Sequence, residues 1–525
     1  MNLNRITPFV LEHATRAAAY VLPGDVAADK ALSSYFRDHP TLGAYERRFA
    51  AETVYSVIRN RRSLGEMAGS RTPRVLVLAA LARFAGFNAR EFEALVKPGE
   101  LDLIKRIKAV RTEDLAPAVR LDLPDWLYAR LVADHGEAET AAYALAFKEA
   151  APLDLRVNTI KANREDVLAA LHEAGIEGAA AALAPSGIRL AGKPALAKNA
   201  QFLAGNVEVQ DEGSQLLALL VNPKRTDMVA DFCAGAGGKT LALGALMRSG
   251  GRLYAFDVSE GRLKKFGPRL KRSGLSNVHP VRITSENDLK VKRLAGKMDR
   301  VLVDAPCSGL GTLRRNPELK WRQSETDIAE LAVKQAAILA GAARLVKPGG
   351  RLVYATCSIL RDENESVVEG FLATHGEFTL VNAIEVLRRA GVELPGVEPS
   401  GAASPMAAAT PLEASAADAA MPAGHDAFLR LSPHRHATDG FFAAVMERAK
   451  LPRGGLTGAA DAAEAGDADV AAAAAASTAS AGAAGTPAEA SDAEKLARKA
   501  ARAAGKKAAK AWAAKSRKPD GDSVA

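Results

Sequence analysis

The sequence predicts an α/β protein built on a doubly wound, mainly parallel sheet, preceded by a small α+β module and an all-α N-terminal domain. Three observations carry this prediction. Between about Val229 and Ala355, short apolar runs alternate with amphipathic stretches, as parallel strands joined by crossover helices do. Residues 1 to about 140 instead read as helix after helix. At 525 residues, the chain is also too long for one ordinary core.

In chain order, "RRFAAETVYSVIRNRRSLGEMAG" places Phe49, Val54, Val57 and Ile58 at helical spacing with basic residues between them. A small α+β module is expected over 141–225, with an amphipathic helix from about Arg164 to Ala174 and turn-rich strands to about Asn206. The main domain spans 226–449, and its strands are "MVADF", "RLYAF", "HPVRI", "RVLVD" and "RLVYA". A helix is expected from Glu325 to Val346, with Ser324 and Asp327 suited to a capping box and "KPGG" closing it. "GFFAAVM" is expected to join the sheet edge. An Ala/Pro/Ser-rich stretch at about 395–425 reads as a flexible insertion. Residues 450–525 read as a low-complexity, disordered tail, because 30 alanines among the last 75 residues leave too few large apolar groups for a core. Its basic end suits either a solvated tail or a helix on a polyanion.

Net charge of +9 favours a polyanionic partner such as nucleic acid. Three cysteines, Cys233, Cys307 and Cys357, form no even disulfide set and no CxxC pair. A reducing, cytoplasmic setting and no bound metal are therefore expected. Glu12, His13 and Arg16 interrupt the apolar N-terminus, and no apolar run reaches spanning length, so neither a signal peptide nor a membrane partner is expected.

The stretch "DFCAGAGGKT" resembles a phosphate-binding loop, but the first glycine of that motif would fall at Cys233. What remains is a strand ending at Asp231 and a glycine-rich turn entering a helix, a geometry that brings backbone N–H groups near a ligand. Asp257 ends the next strand 19 residues after Gly238, near the offset at which a carboxylate meets ribose hydroxyls. An adenosine-containing cofactor follows. Spacing alone leaves a nicotinamide dinucleotide and S-adenosylmethionine both open.

"DRVLVDAPCSGLGTLRRNPELKWR" and "GGRLVYATCSILRDENESVV" each place a cysteine just past a strand. Cys307 and Cys357 are 50 residues apart yet can meet at the carboxyl edge of a parallel sheet. Cys233 reads as a buried small hydrophobe.

In order, "VQDEGSQL", "DFCAGAGGKT", "DAPCSGLGTLRRNPELKW", "YATCSILRDENE" and "TDGFF" make residues 150 to 448 resemble the RNA 5-methylcytosine methyltransferases of the NOP2/Sun type, the group of ribosomal RNA methyltransferase B. The resemblance implies a Rossmann-like class I methyltransferase domain and S-adenosylmethionine as methyl donor. It implies Cys357 as the nucleophile on carbon 6 of cytosine and Cys307 as the thiol assisting product release. Such covalent attack turns carbon 5 into a nucleophile and splits one hard step into easier ones. Asp304 would meet the base's ring nitrogen and amino edge, with Lys239 beside it. Cofactor contacts would come from Cys233, Ala234, Gly235, Ala236, Gly237, Gly238, Lys239, Asp257 and Asp304.

Two positions depart from the family pattern. Gly235-Ala236 stand where members commonly carry "AP", a change in loop stiffness. The aspartate that usually follows the third strand and contacts the cofactor's adenine side aligns with Ser285, which would then bind cofactor, with Glu286, Asn287 or Asp288 as alternatives. Arg314, Arg315, Lys320 and Arg322 are expected to face RNA phosphates, although a solvated basic loop fits each one taken singly. The α+β module resembles the family's RNA-binding extension. Residues 1–140 resemble its NusB-like RNA-binding domain through "ALSSYFRDHPTLGAYERRFAAETVYSVIRNRRSL".

The expected activity is thus cytosine carbon-5 methylation of 16S ribosomal RNA by a monomer. The same reaction on another RNA such as tRNA, and a non-catalytic ribosome-assembly factor, remain as alternatives. A DNA cytosine methyltransferase would use Cys307 as its nucleophile, and the failed loop spacing counts against an NTPase.

Overall fold

The computed structural model describes residues 6–395 and 427–450 except 86–92, 94 and 98. The expected insertion and tail fall outside these residues apart from positions 395 and 450.

Helices Pro8–Val21, Ala28–Asp38, Ala44–Arg59, Arg61–Ala68, Pro73–Phe84 and Glu100–Ala109 share one core. Phe49, Val54, Val57 and Ile58 are buried in it, as their spacing predicts. A further helix, Asp125–Lys148, continues past the expected end of the helical region and is broken at Gly136, where φ is +79°. Its Leu127 and Leu131 pack with Leu310, Leu313, Ile359 and Leu360 from the two cysteine segments.

Strands β1 (Leu153–Val157), β2 (Gly178–Ala180), β3 (Gly187–Leu190) and β4 (Val207–Val209) form an antiparallel sheet in the order β2-β3-β1-β4. Helix Arg164–Glu173 connects β1 and β2, and Asn163 caps it by accepting from the Asp166 N–H.

The main sheet contains β5 (Met228–Asp231), β6 (Arg252–Asp257), β7 (Val278–Arg282), β8 (Met298–Asp304), β9 (Val346–Thr356), β10 (Phe378–Val381), β11 (Leu429–Leu431) and β12 (Phe441–Arg448). Its order is β10-β12-β9-β8-β5-β6-β7, with β11 pairing β12. Strands β5 to β9 are mutually parallel, and β12 runs antiparallel to β9. Both faces are covered. Leu302, Val353, Ala355 and Val445 pack on one side, and Val301, Val303, Tyr354 and Phe442 on the other. That is why these strands read as continuous apolar runs.

Three expectations change. β12 lies between β9 and β10 rather than at the edge, and the edge strand is β10, whose "FTLV" spans only four residues. The helix starting at Glu325 keeps its Ser324–Asp327 capping box but stops at Ala343, because Val346 already pairs with Met298 in the sheet. "KPGG" therefore lies within β9, where residues 347–350 bulge between the Val346–Met298 and Arg351–Arg300 pairs.

The order places β5 at the switch point: the chain runs outward from β5 through β6 to β7, then crosses back to β8 on the other side of β5. Ligands of such sheets bind beyond the carboxyl ends of the strands at this point. A cavity of roughly 820 Å³ opens there.

Candidate active site

β5 delivers Asp231, and the chain turns through 232–237 before helix Gly238–Leu246 begins. Gly235 and Gly237 have φ of +58° and +84°. A Cβ on Gly237 would lie 2.0 Å from the Phe266 ring, so both conformation and space require glycine there.

Several loop groups are held from within the protein. The Ala234 N–H donates to the Phe256 carbonyl at 2.9 Å, and the Gly235 N–H to Asp257 Oδ2 at 2.8 Å. Arg156 donates to the Gly238 carbonyl at 2.8 Å and Arg269 to that of Ala236 at 2.7 Å. The Gly237 N–H is likewise taken by the Ala234 carbonyl at 2.8 Å, so the expectation that the turn offers its N–H groups to a ligand needs correction for Ala234, Gly235 and Gly237. They brace the loop, and Asp257, 3% exposed, also accepts from the Ser259 N–H at 2.6 Å.

The lining fits an adenosine-bearing cofactor with an amino-acid end. Asp231 Oδ2 accepts from Thr240 Oγ1 at 2.6 Å, while its buried Oδ1 has no partner among the described residues. Burial pushes the Asp231 carboxyl up to about 7, a cost that a cationic ligand group would offset. Ser285 and Glu286 line the same cavity with apolar Ile283 and Ile338. Of the two alternatives to them, Asp288 caps residues 289–292 and binds Thr284, and Asn287 accepts from Arg344 at 2.6 Å.

At the other end, Cys307 Sγ and Cys357 Sγ lie 3.2 Å apart. Sheet register explains the meeting. β8 and β9 are parallel neighbours with Asp304 opposite Ala355, so each thiol emerges two or three residues past the same rung. Hydrogen bonding to Cys357, together with burial, holds the Cys307 thiol well above its usual range. Lys239 Nζ donates to Asp304 Oδ2 at 2.7 Å and sits 5.8 Å from the Phe441 ring centre. Burial works against the Lys239 charge, but Asp304 outweighs it, with Cys357 and Asp231 adding to the effect, and the net pKa is raised. Cys233 borders the cavity too, and burial together with Asp231, Asp304 and Asp257 pushes its thiol up. A thiol held protonated in this way is a poor nucleophile.

Residues 218–447 match the family described as 16S rRNA methyltransferase RsmB/F, and residues 123–197 match the ferredoxin-like domain of RsmF/B-like methyltransferases. A Synechocystis protein described as a probable ribosomal RNA small subunit methyltransferase B is 32% identical, over 81% of this chain and 95% of its own length. The chain belongs to the RsmB/F family. A Bacillus subtilis relative with the same description is 34% identical over 56% of this chain and 59% of its own. Among solved structures, a methyltransferase homolog protein from Pyrococcus horikoshii superposes with a TM-score of 0.52 at 28% identity, covering 65% of this chain and 100% of that one.

In this RsmB/F chain the expected row of RNA-facing cations does not form a row. Arg314 is 5% exposed and pairs with Asp439 at 3.3 Å. Lys320 is equally buried and donates to the Arg59 carbonyl at 2.9 Å, and burial lowers its pKa to about 7. Arg314 is drawn inward by Asp439 and the Ala437 carbonyl, and Lys320 because its segment holds the helical layer: the Trp321 indole N–H donates to the Ile58 carbonyl, and Glu318 accepts from the Ala28 N–H. Arg315 borders the cavity between Asp211 at 2.8 Å and Asp439 at 2.6 Å, and Arg322 is exposed.

Sequence reasoning missed Arg156 and Arg269 as loop supports and Asp231 as a carboxylate open to a ligand, and it gave no role to Asp211, Asp439 or Glu363. Asp211, Asp439 and Glu363 do lie in "VQDEGSQL", "TDGFF" and "RDENE", stretches that carry the family resemblance. Among the described residues no group of His, Cys, Asp and Glu could hold a metal, and no helix is long and apolar enough to cross a membrane.

Proposed function

We propose that this chain transfers a methyl group from S-adenosylmethionine to carbon 5 of a cytosine in 16S ribosomal RNA, through a covalent bond between Cys357 and the base. The observation that carries the reading is the sulfur pair 3.2 Å apart, bordering the same cavity as the Lys239–Asp304 ion pair and the glycine loop. Packing does not call for two half-buried thiols at a ligand edge, whereas an attacking thiol and a proton-bearing neighbour do.

S-adenosylmethionine supplies an electrophilic methyl group. Asp231 and the 233–239 turn serve its amino-acid end, Asp257 its ribose, and Ser285 or Glu286 its adenine side. Cytosine leaves any stack to enter. Asp304 accepts from its amino edge. Cys357 loses its proton and its sulfur bonds to carbon 6, so the ring's electron pair becomes available at carbon 5. The Lys239 ammonium favours the negative charge that develops on sulfur and ring. Carbon 5 takes the methyl group as its bond to the donor sulfonium breaks. A base then removes the carbon 5 proton, and that electron pair restores the 5,6 double bond as the carbon–sulfur bond breaks. Cys307, the thiol that stays protonated, assists release by giving a proton to the departing Cys357 sulfur. The helical domain over about 1–140 and the module over 141–225 precede the methyltransferase domain (226–449) as RNA-binding parts, with Arg322 as a phosphate contact; Arg315, held by Asp211, Asp439 and the Pro152 carbonyl, is left to brace the cavity wall.

The test is incubation of the protein with methyl-labelled S-adenosylmethionine and unmodified 16S ribosomal RNA, both free and in the small-subunit particle, followed by nucleoside analysis. Label is expected in 5-methylcytidine. No label in that nucleoside with either substrate refutes the reading.

A further inference from the structure

The catalytic sulfurs occupy equivalent places in two turns, Pro306-Cys307-Ser308 and Thr356-Cys357-Ser358, and the serine after each cysteine points at the same group. Glu363, fully buried, accepts from the Ser308 N–H at 2.8 Å and the Ser308 hydroxyl at 2.5 Å. It also accepts from the Ser358 hydroxyl, and Gln335 Nε2 donates to it at 3.0 Å. The two hydroxyls meet on one oxygen, and Ser308 N–H and Gln335 share the other.

Around this carboxylate each turn is fixed again. Gln335, buried on the helix Glu325–Ala343, donates to the Pro306 carbonyl at 2.9 Å. Asn364 donates to the Ser358 carbonyl at 3.1 Å and accepts from Thr356 Oγ1 at 2.5 Å. The Tyr354 hydroxyl donates to the Glu363 carbonyl at 2.6 Å, which anchors the backbone of the glutamate to β9. A buried carboxylate costs several kcal/mol unless it is fully hydrogen-bonded, and this one meets four donors from three segments. Neutral packing would fill the space without that cost, so the charge itself calls for a function.

We propose that Glu363 is the positioning residue of the sulfur pair: through Ser308 and Ser358 it bolts the two cysteine turns to each other and sets which sulfur carries the proton. The charge acts in the direction this needs: the hydrogen bond to Cys357, burial and the charge of Cys357 raise the Cys307 thiol most, and Glu363 adds to them. Cys307 then donates to Cys357, the sulfur free to attack. The division of labour between the thiols rests on the methylation mechanism above, whereas the bolting rests on geometry alone.

Both parts are measured on the full-length protein without RNA or cofactor, so an inability to methylate cytosine leaves these measurements standing. The first is closure of a Cys307–Cys357 disulfide by diamide, followed by mass spectrometry. The diamide N=N bond is reduced to a hydrazine as the two thiols lose their hydrogens. In Glu363→Gln closure is expected to slow by about tenfold, because a disulfide tolerates little change in the separation and direction of its sulfurs. The second is the pH profile of iodoacetamide labelling at Cys307, expected to move down by about one unit in Glu363→Gln, a roughly tenfold faster reaction at a fixed pH below the transition. A purely space-filling glutamate would not move that profile. The proposal is overturned if Glu363→Gln, folded by circular dichroism, closes at the wild-type rate or leaves the Cys307 profile in place. If that variant does not fold, the Ser308→Ala/Ser358→Ala protein carries the closure comparison: slower closure supports the bolt, and unchanged closure overturns it.

Discussion

Lys239 shows how far a residue's role depends on its neighbours. In the sequence it sits where a phosphate-binding lysine would. In the fold its ammonium is committed to Asp304 at 2.7 Å, at the thiol end of the cavity. The cysteines were legible because nucleophilic side chains just past parallel strands are a pattern with a fixed outcome in space. Asp231 and Glu363 were not, because a carboxylate reads as solvated until burial and partners are known. Gly237 is a third case. Its neighbour Gly238 looks equivalent in "GAGGKT", yet a Cβ on Gly238 would meet only Gln210 Nε2, at 3.9 Å, against 2.0 Å from Phe266 for Gly237. Gly237→Ala is accordingly expected to lower stability by about 2 kcal/mol or more, from both the left-handed backbone and the clash. Gly238→Ala should stay within about 0.5 kcal/mol of wild type. Urea unfolding midpoints of the two variants check this, and equal losses would contradict the packing assigned to Gly237.

At the scale of elements, the segment from Arg314 to Arg322 shows the limit of reading charge from sequence. Its basic residues suggested a surface for RNA, but charge says nothing of direction, and a single turn of helix, Leu319–Arg322, sends Lys320 inward beneath the helical layer. The edge strand β10 was overlooked for a related reason: four residues are too few to declare a period, and the sheet order that gives them a partner is a long-range property. Lys320 yields a pH prediction. Its folded pKa is lowered by burial to about 7 from an ordinary 10.5. Between those values the unfolded chain holds more protons than the folded one, so the contribution of this residue to stability rises with pH there and is flat below it. Lys320→Met removes the effect along with the hydrogen bond to Arg59. From pH 7 to pH 9 the wild type should gain on the variant in denaturant-derived stability, by up to about 1.4 kcal/mol per unit. A gap constant across that range would show that Lys320 is not buried as a neutral amine.

On the scale of the whole described chain, three layers converge on one cavity. The main sheet supplies the loop, the carboxylates and both thiols, the small antiparallel sheet holds the loop through Arg156, and helix Asp125–Lys148 packs behind the cysteine turns. The alternation of strands and helices made the main sheet readable almost element by element. The position of β12 was not, because an antiparallel return from the end of the domain can enter a sheet at the edge or between two strands, and only packing decides. The proposed reaction draws on all three, since it needs a flipped cytosine to reach Cys357 with Cys307 beside it. The most direct measurement is peptide mapping of the covalent RNA adduct formed by Cys307→Ala with 16S ribosomal RNA and S-adenosylmethionine. If Cys307 assists release as proposed, an adduct is expected to accumulate with the cytosine attached at Cys357, and none when Cys357 is also replaced. An adduct that persists in Cys357→Ala with Cys307 intact, attached at Cys307, would contradict the assignment.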